Sequence, residues 1–133
     1  IGGNVRAIGT KPGGQPWTAG VENPWGDDPA YIQAVELNDG DSLVISGDYQ
    51  RYFEYDGVRY AHLIDLTTGY PARYVSSVAV LARADTGGLA DALSTGLFCL
   101  PEETGRALAA QNHYAVLWMH PDETTSRSAD WPQ

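Results

Sequence analysis

Glycine and proline residues divide most of this chain into short segments. The sequence contains 15 glycines and 8 prolines, which lie between apolar runs and are not clustered. This spacing is typical of many turns and short strands and argues against disorder. With 133 residues, of which 43% are apolar, the chain has the material for one compact domain with a hydrophobic core.

Strands are predicted wherever β-forming residues lie between these turns. Residues 30–37 and 42–47 are separated by Asn-Asp-Gly-Asp, which is a hairpin signature. The Asp56-Gly57 pair indicates a second hairpin within 49–65, because both residue types favour the left-handed conformations of a type I′ turn. The other predicted strands are residues 4–9, 17–24, 76–82 and 114–120, followed by a turn and a short edge.

Two consecutive helices are predicted before the strand at 114–120. Residues 88–98 carry apolar side chains at helical spacing. Pro101 can start a second helix, and Glu102 and Glu103 suit its positive end. The order of strands, two helices and a final strand predicts an α+β fold, with both helices against a largely antiparallel sheet.

The charge of the chain limits its partners. Seventeen acidic residues against eight basic ones give a formal charge of −9. A field of this sign repels phosphate backbones, so nucleic acid is not an expected partner. A bound polyphosphate would need a metal ion or backbone amides to offset the charge.

The ends and the single cysteine carry less information. No run approaches the roughly 18 apolar residues of a membrane helix, and no signal peptide is visible. The opening residues read as the middle of a strand, so we expect a fragment or a processed product and conclude nothing from missing targeting signals. Cys99 excludes an internal disulfide and is expected in the apolar core.

An oxygen pair on the first predicted helix is a candidate metal site. Asp91 and Thr95 are four residues apart, so both can reach one ion, and Ser94 is adjacent in angle. A carboxylate with hydroxyls suits Mg²⁺, which completes its shell with water and substrate phosphate. The alternative is that Asp91 only complements the helix dipole. The opposite, buried face is predicted to comprise Leu89, Ala92, Leu93, Gly96 and Leu97.

Three further features admit both a functional and a structural interpretation. His62 ends a strand and could act as a general base near neutral pH, or be a satisfied structural histidine. Ser46 and Gly47 could present a hydroxyl and backbone amides to a ligand, or form an ordinary loop. The Gly-Gly-Asn stretch at 2–4 could admit a ligand close to the backbone, or be a bulge. His113 and His120 are predicted to be structural.

Taken together, these segments resemble a known family. The stretches GGNVRAIG, SGDYQRYFEYDGVRYAHLIDLTTGYPA and ADALSTGLF occur in the order and at about the spacing of the ApbE family, the FAD:protein FMN transferases. The resemblance covers residues 1 to about 120. It implies an ApbE-like, T-fold-like domain of which residues 1–133 are a single C-terminal portion, incomplete without an upstream portion.

The resemblance implies a Mg²⁺-dependent reaction of FAD. FMN would be joined to a threonine or serine hydroxyl of an acceptor protein, and AMP would be released. Asp91 and Thr95 match the family's metal ligands, and Ser94 can also contribute. His62 matches a proposed base toward the acceptor hydroxyl, and Ile64 a contact to the flavin nucleotide. Ser46 is a further candidate for contact with the nucleotide.

Two departures from the family pattern are visible. The Asp-Pro of the family is Asp65-Leu66 here, which removes the fixed φ of proline from that turn. The family's upstream aromatic, its Gly-Lys-Gly-like segment and a backbone metal ligand are not in this sequence. Relatives are often lipid-anchored on the outer side of a bacterial inner membrane, so the resemblance implies an extracytoplasmic location for the full-length protein, with the cytoplasm as the alternative.

Three other functions stay open at this point. The protein could hydrolyse FAD to FMN and AMP, as some members of the family do. It could bind flavin without turnover, or serve as an inert interaction domain.

Overall fold

A computed structural model of the chain describes residues 3–83 and 86–133. It contains nine strands and two helices in those ranges. The strands are β1 Asn4–Arg6, β2 Trp17–Glu22, β3 Tyr31–Leu37, β4 Ser42–Gly47, β5 Tyr52–Tyr55, β6 Val58–Ala61, β7 Ser77–Ala82, β8 Ala115–Met119 and β9 Thr125–Arg127; the helices are α1 Gly87–Phe98 and α2 Glu102–Asn112.

Five antiparallel strands form the central sheet, in the order β1-β4-β7-β8-β9. Every residue of β7 and β8 is buried, so both faces of the sheet are covered. Side chains alternate along these strands, and Val78 and Val80 face one layer while Ala79 and Leu81 face the other. The predicted central strand at 76–82 and the α+β class are therefore confirmed.

The two helices cover one face of the sheet. Ala90, Leu97 and Phe98 of α1 and Ala109 of α2 pack against alternate residues of β4, β7 and β8. Both helices begin within two residues of the predicted positions, and Pro101 precedes α2 directly, with Glu102 and Glu103 in its first turn. Cys99 is partly buried against this core. Neither helix in the described ranges has the length and apolar composition needed to cross a bilayer.

The face of α1 that contacts the sheet differs from the predicted one. The buried residues are Ala90, Ser94, Leu97 and Phe98. Leu89 is 50% exposed, Ala92 and Gly96 are exposed, and Leu93 is half-buried. Four apolar residues at helical spacing therefore misled the prediction. The helix instead packs through two small residues, Ala90 and Ser94, and through Leu97 and Phe98 in its last turn, and the buried Ser94 hydroxyl bonds to Ser46 of the neighbouring strand.

The β2–β3 hairpin covers the opposite face of the sheet. Val21, Val35 and Leu37 are buried against Leu43 and Leu117. The predicted pairing of 30–37 with 42–47 is wrong, because β3 pairs with β2 and β4 pairs with β1 and β7.

The Asn-Asp-Gly-Asp segment turns the chain between layers instead of closing a hairpin. The Asp41 carboxylate accepts a hydrogen bond from the Asn38 backbone N–H at 2.9 Å and pairs with the Arg83 guanidinium. These contacts hold a corner at which the chain leaves the outer hairpin and enters the central sheet.

The second predicted hairpin is confirmed. β5 and β6 pair with Tyr55 opposite Val58. Asp56 and Gly57 have φ values of 50° and 70°, the left-handed region that a type I′ turn requires. All four residues of β5 are exposed.

Candidate active site

One small cavity collects four of the predicted site residues. It has a volume of about 160 Å³ and lies between the end of β4, the loop before β5, the end of β6 and the outer side of α1. Ser46, His62, Asp91 and Thr95 line it, together with Ile45, Gly47, Gln50, Arg51 and Leu63. Segments that are far apart in sequence therefore meet here.

Asp91 and Thr95 lie one turn apart on the exposed side of α1. Asp91 is the fifth residue of the helix, and the first turn carries no acidic residue, so the dipole interpretation of Asp91 has no support. Its Oδ1 accepts a hydrogen bond of 2.9 Å from Asn4 Nδ2 on β1. This contact orients the carboxylate at the rim of the cavity.

Three hydroxyl groups connect α1 to β4. Ser46 Oγ lies 2.8 Å from Ser94 Oγ and 3.4 Å from Thr95 Oγ1. The Ser94 hydroxyl donates to the Asp91 carbonyl at 3.0 Å, so Ser46 is the donor in the bond between the two serines. Ser94 is fully buried, whereas Ser46 is half-buried and lines the cavity. Ser94 thus holds the Ser46 hydroxyl in place from the buried side of α1.

Glycines let these elements approach closely. A Cβ at Gly87, the first residue of α1, would lie 2.7 Å from Ser42 Oγ, so the helix begins directly against β4. Gly3 has a φ of 86°, and a Cβ there would lie 2.5 Å from the Ile45 carbonyl oxygen. The close approach at Gly3 is thus between β1 and β4; Gly2 lies outside the described residues.

His62 follows β6 and faces the loop before β5. Its backbone N–H donates to the Arg51 carbonyl at 3.2 Å, and its Nδ1 lies 3.2 Å from the same oxygen. A carbonyl only accepts, so this contact assigns the hydrogen to Nδ1 and leaves a lone pair on Nε2. The arrangement gives an oriented, exposed imidazole with one nitrogen free to take a proton.

Ile64 and the turn after it lie outside the cavity. Ile64 is 41% exposed and forms an isolated antiparallel bridge with Pro71. Asp65 is buried and accepts hydrogen bonds from the Thr67 hydroxyl at 2.7 Å, the Thr67 backbone N–H at 2.8 Å and the Tyr74 hydroxyl at 2.9 Å. These hydrogen bonds hold the pKa of Asp65 below its usual value, and the bond from the Thr67 hydroxyl has the largest effect. Side-chain hydrogen bonds thus fix the turn in which proline is absent.

Tyr49 fixes the loop that follows Ser46. Its hydroxyl donates to Glu22 Oε2 at 2.9 Å, and Gln50 Nε2 donates to the same oxygen at 3.2 Å. Burial has the largest effect on the pKa of Tyr49 and raises it, and the hydrogen bond to the Glu22 carboxylate raises it further. The Tyr49 ring packs on Gly47, where no Cβ would fit. This contact favours the interpretation of 46–49 as a shaped loop that presents Ser46.

The cavity contains hard oxygen ligands. Asp91 offers a carboxylate, and Thr95 and Ser46 offer hydroxyl oxygens, a set that suits Mg²⁺ better than softer metals. Within residues 3–83 and 86–133, no three His, Cys, Asp or Glu side chains converge. A cation at this position would therefore complete its shell with ligands from outside the set described here.

The sequence analysis missed two residues: Arg51, which lines the cavity, and Asn4, which lies outside it and donates to Asp91. Asn4 was noted only for its glycine neighbours, and Arg51 was not singled out. A signal for Asn4 would have needed the pairing of Asn4 with Val44, which depends on the fold. Arg51 lies just before a strand rich in aromatic residues, and nothing in its spacing distinguishes it from other surface arginines.

Comparison with known proteins shows the family of this chain. Residues 1–118 match the sequence model of the ApbE family. The chain belongs to the ApbE family. Among curated relatives, it is 43% identical over 118 residues to the FAD:protein FMN transferase of Vibrio cholerae, an alignment that covers 88% of this chain and 34% of the relative.

Solved ApbE structures share the fold. The ApbE protein of Thermotoga maritima superposes with a TM-score of 0.83 at 42% identity, covering 96% of this chain and 41% of that one. The flavinyl transferase ApbE of Pseudomonas stutzeri, in its apo form, gives a TM-score of 0.75 at 36% identity, covering 98% and 40%. This ApbE-family chain spans about a third of the length of the Vibrio cholerae relative.

Proposed function

We propose that this chain is the C-terminal portion of an FAD:protein FMN transferase. It would act with an upstream portion, on FAD and on a threonine or serine hydroxyl of an acceptor protein. The observation that carries the proposal is the single cavity to which Ser46, His62, Asp91 and Thr95 are brought from separate segments. Membership of the ApbE family and the names of its relatives support it.

The proposed transfer is one displacement at phosphorus. The acceptor oxygen forms a bond to the phosphorus of the FMN half, and the bond from that phosphorus to the bridging oxygen breaks. The bridging oxygen leaves as part of AMP. The hydroxyl proton passes to Nε2 of His62, which has a free lone pair because Nδ1 donates to the Arg51 carbonyl.

The oxygen ligands fit the cation that this reaction requires. Asp91, Thr95 and Ser46 would hold Mg²⁺, and Ser94 would fix Ser46 by accepting its hydrogen bond. When bound, Mg²⁺ neutralises charge on pyrophosphate oxygens in a chain whose formal charge is −9.

A labelling assay with a matched histidine pair tests this function. The full-length protein is incubated with FAD, Mg²⁺ and an acceptor peptide containing a threonine, and covalent flavin fluorescence and AMP are measured. We expect His62→Asn to lower the transfer rate at least about 100-fold, which is a typical contribution of a general base. The exposed His113, whose left-handed φ of 56° asparagine tolerates, provides the control His113→Asn.

The products separate the alternatives. Release of AMP and free FMN without labelled peptide would assign FAD hydrolysis instead of transfer. Binding of FAD with neither product would indicate a flavin-binding protein. For an enzyme, Asp91→Ala should abolish turnover, whereas in a metal-independent binder it should leave FAD affinity nearly unchanged.

A further inference from the structure

Arg51 differs from three other arginines of the described residues, whose guanidinium groups form ion pairs. Arg59 pairs with Asp48, Arg83 with Asp41 and Arg106 with Glu102. Within the described part of the chain, the Arg51 guanidinium forms neither an ion pair nor a hydrogen bond, and the residue is exposed. Its charge is therefore available to an external anion.

Arg51 is also placed where an anion is needed. Of the described residues that line the cavity, Arg51 is the one with a permanent positive charge, and Asp91 is the one carboxylate. FAD carries two negatively charged phosphates, and the chain as a whole has a formal charge of −9. A cation held by Asp91 would neutralise one side of a pyrophosphate, and the guanidinium faces the same space from the β5 side.

The backbone of Arg51 is fixed relative to the proposed base. Its carbonyl accepts two contacts of 3.2 Å from His62, one from the backbone N–H and one from Nδ1. The side chain therefore starts from an anchored position next to the imidazole. A guanidinium also offers paired donors that match two phosphate oxygens, which a lysine cannot do.

We infer that Arg51 is a phosphate-binding residue of the site, which contacts the pyrophosphate of FAD and orients it for attack beside His62. This inference rests on the proposed function for the identity of the dinucleotide. The recognised chemistry is a pyrophosphate ester, so ADP should occupy the same contact, whereas riboflavin, which has no phosphate, should not.

Binding measurements with Arg51→Gln test this without turnover. Dissociation constants of the full-length protein for FAD, ADP and riboflavin are measured by calorimetry with EDTA present. We expect Arg51→Gln to weaken FAD and ADP by about 10- to 100-fold, the loss of a charge-assisted hydrogen bond, and to leave riboflavin within about twofold. Arg51→Lys should recover part of the affinity. Arg59→Gln, which removes an arginine outside the cavity, is the matched control and should change none of the three.

Several results would overturn the inference. One is an unchanged affinity of Arg51→Gln for FAD and ADP. Another is an equal loss of riboflavin affinity in Arg51→Gln, which would indicate a distorted site. The third is an equal loss of FAD and ADP affinity in Arg59→Gln, which would indicate an effect of the overall charge. A different result would contradict the proposed function alone. If the native protein binds FAD through Arg51 but transfers no FMN, the inference stands and the transferase assignment does not. Absence of FAD binding by the native protein would reject both.

Discussion

The Asp65 carboxylate holds the turn that follows His62. The hydroxyl and backbone N–H of Thr67 and the hydroxyl of Tyr74 all donate to it, and these bonds lower its pKa. A lowered pKa in the folded state stabilises the protein at every pH above about 4, the ordinary value for an unfolded aspartate. This contribution is lost as the pH falls through the folded-state pKa.

We therefore expect Asp65→Asn to be less stable than the native protein at neutral pH. The difference in unfolding free energy should shrink as the pH falls from about 4 through the folded-state pKa of Asp65, because Asp65 is protonated first in the unfolded chain and then in the folded protein. Urea unfolding at a series of pH values measures this difference. A gap that stays constant with pH would show that the carboxylate charge is not what holds the turn.

Residue types at the site were easier to predict than their partners. The spacing of Asp91 and Thr95 indicated a shared ion, and both do line one cavity with His62 and Ser46. Ser94 was expected beside them but is buried, because helix rotation is set by packing against β4 and not by apolar spacing. The roles of all these residues remain predictions.

Helix α1 is positioned by contact of its first residue with β4. A Cβ at Gly87 would lie 2.7 Å from the Ser42 hydroxyl oxygen and 3.3 Å from Ser42 Cβ, whereas a Cβ at Gly88 would meet nothing within 4 Å. A side chain is therefore excluded at Gly87 by close contact with Ser42, whereas there is space for one at Gly88. They form a matched pair for testing how the helix is seated.

We expect Gly87→Ala to destabilise the protein by about 1–3 kcal/mol, as overpacking does, and to lower FMN transfer by shifting Asp91 and Thr95. Gly88→Ala should stabilise it by about 0.5–1 kcal/mol, since alanine loses less entropy on entering a helix. Chemical denaturation and the labelling assay measure these effects. Equal responses of the two variants would contradict this view of the helix start.

Elements were predicted more reliably than their pairing. Strand and helix segments follow from local alternation and turn residues, and the Asp56-Gly57 hairpin follows from local chemistry as well. The β3–β4 hairpin failed because the Asp41 contacts to Asn38 and Arg83 redirect the chain between layers, and Arg83 is 42 residues away in sequence. Such a distant partner cannot be read from a turn signature.

The whole molecule has two cores that share one sheet. Helices cover one face and the β2–β3 hairpin the other, and β7 and β8 contribute alternate side chains to both. Because the same strands support each core, loss of one layer removes packing from the other. Cooperative unfolding as a single unit is the expected behaviour.

Phe98→Ala in the helix layer and Leu37→Ala in the hairpin layer test this cooperativity. Both side chains are fully buried, and we expect losses of about 3–5 and about 2–5 kcal/mol respectively. Trp118 reports on the helix side and Trp131 on the hairpin side, so fluorescence of single-tryptophan variants follows each core. Each substitution should move both signals together; separate transitions would show two independent units.

The bond that orients His62 comes from the main chain at position 51. Every amino acid supplies the same carbonyl, so the tautomer of the imidazole is insulated from the side chain beside it. If Arg51 binds the anionic donor as proposed, substitutions at position 51 would change which donor is accepted and leave the orientation of the proposed base His62 intact.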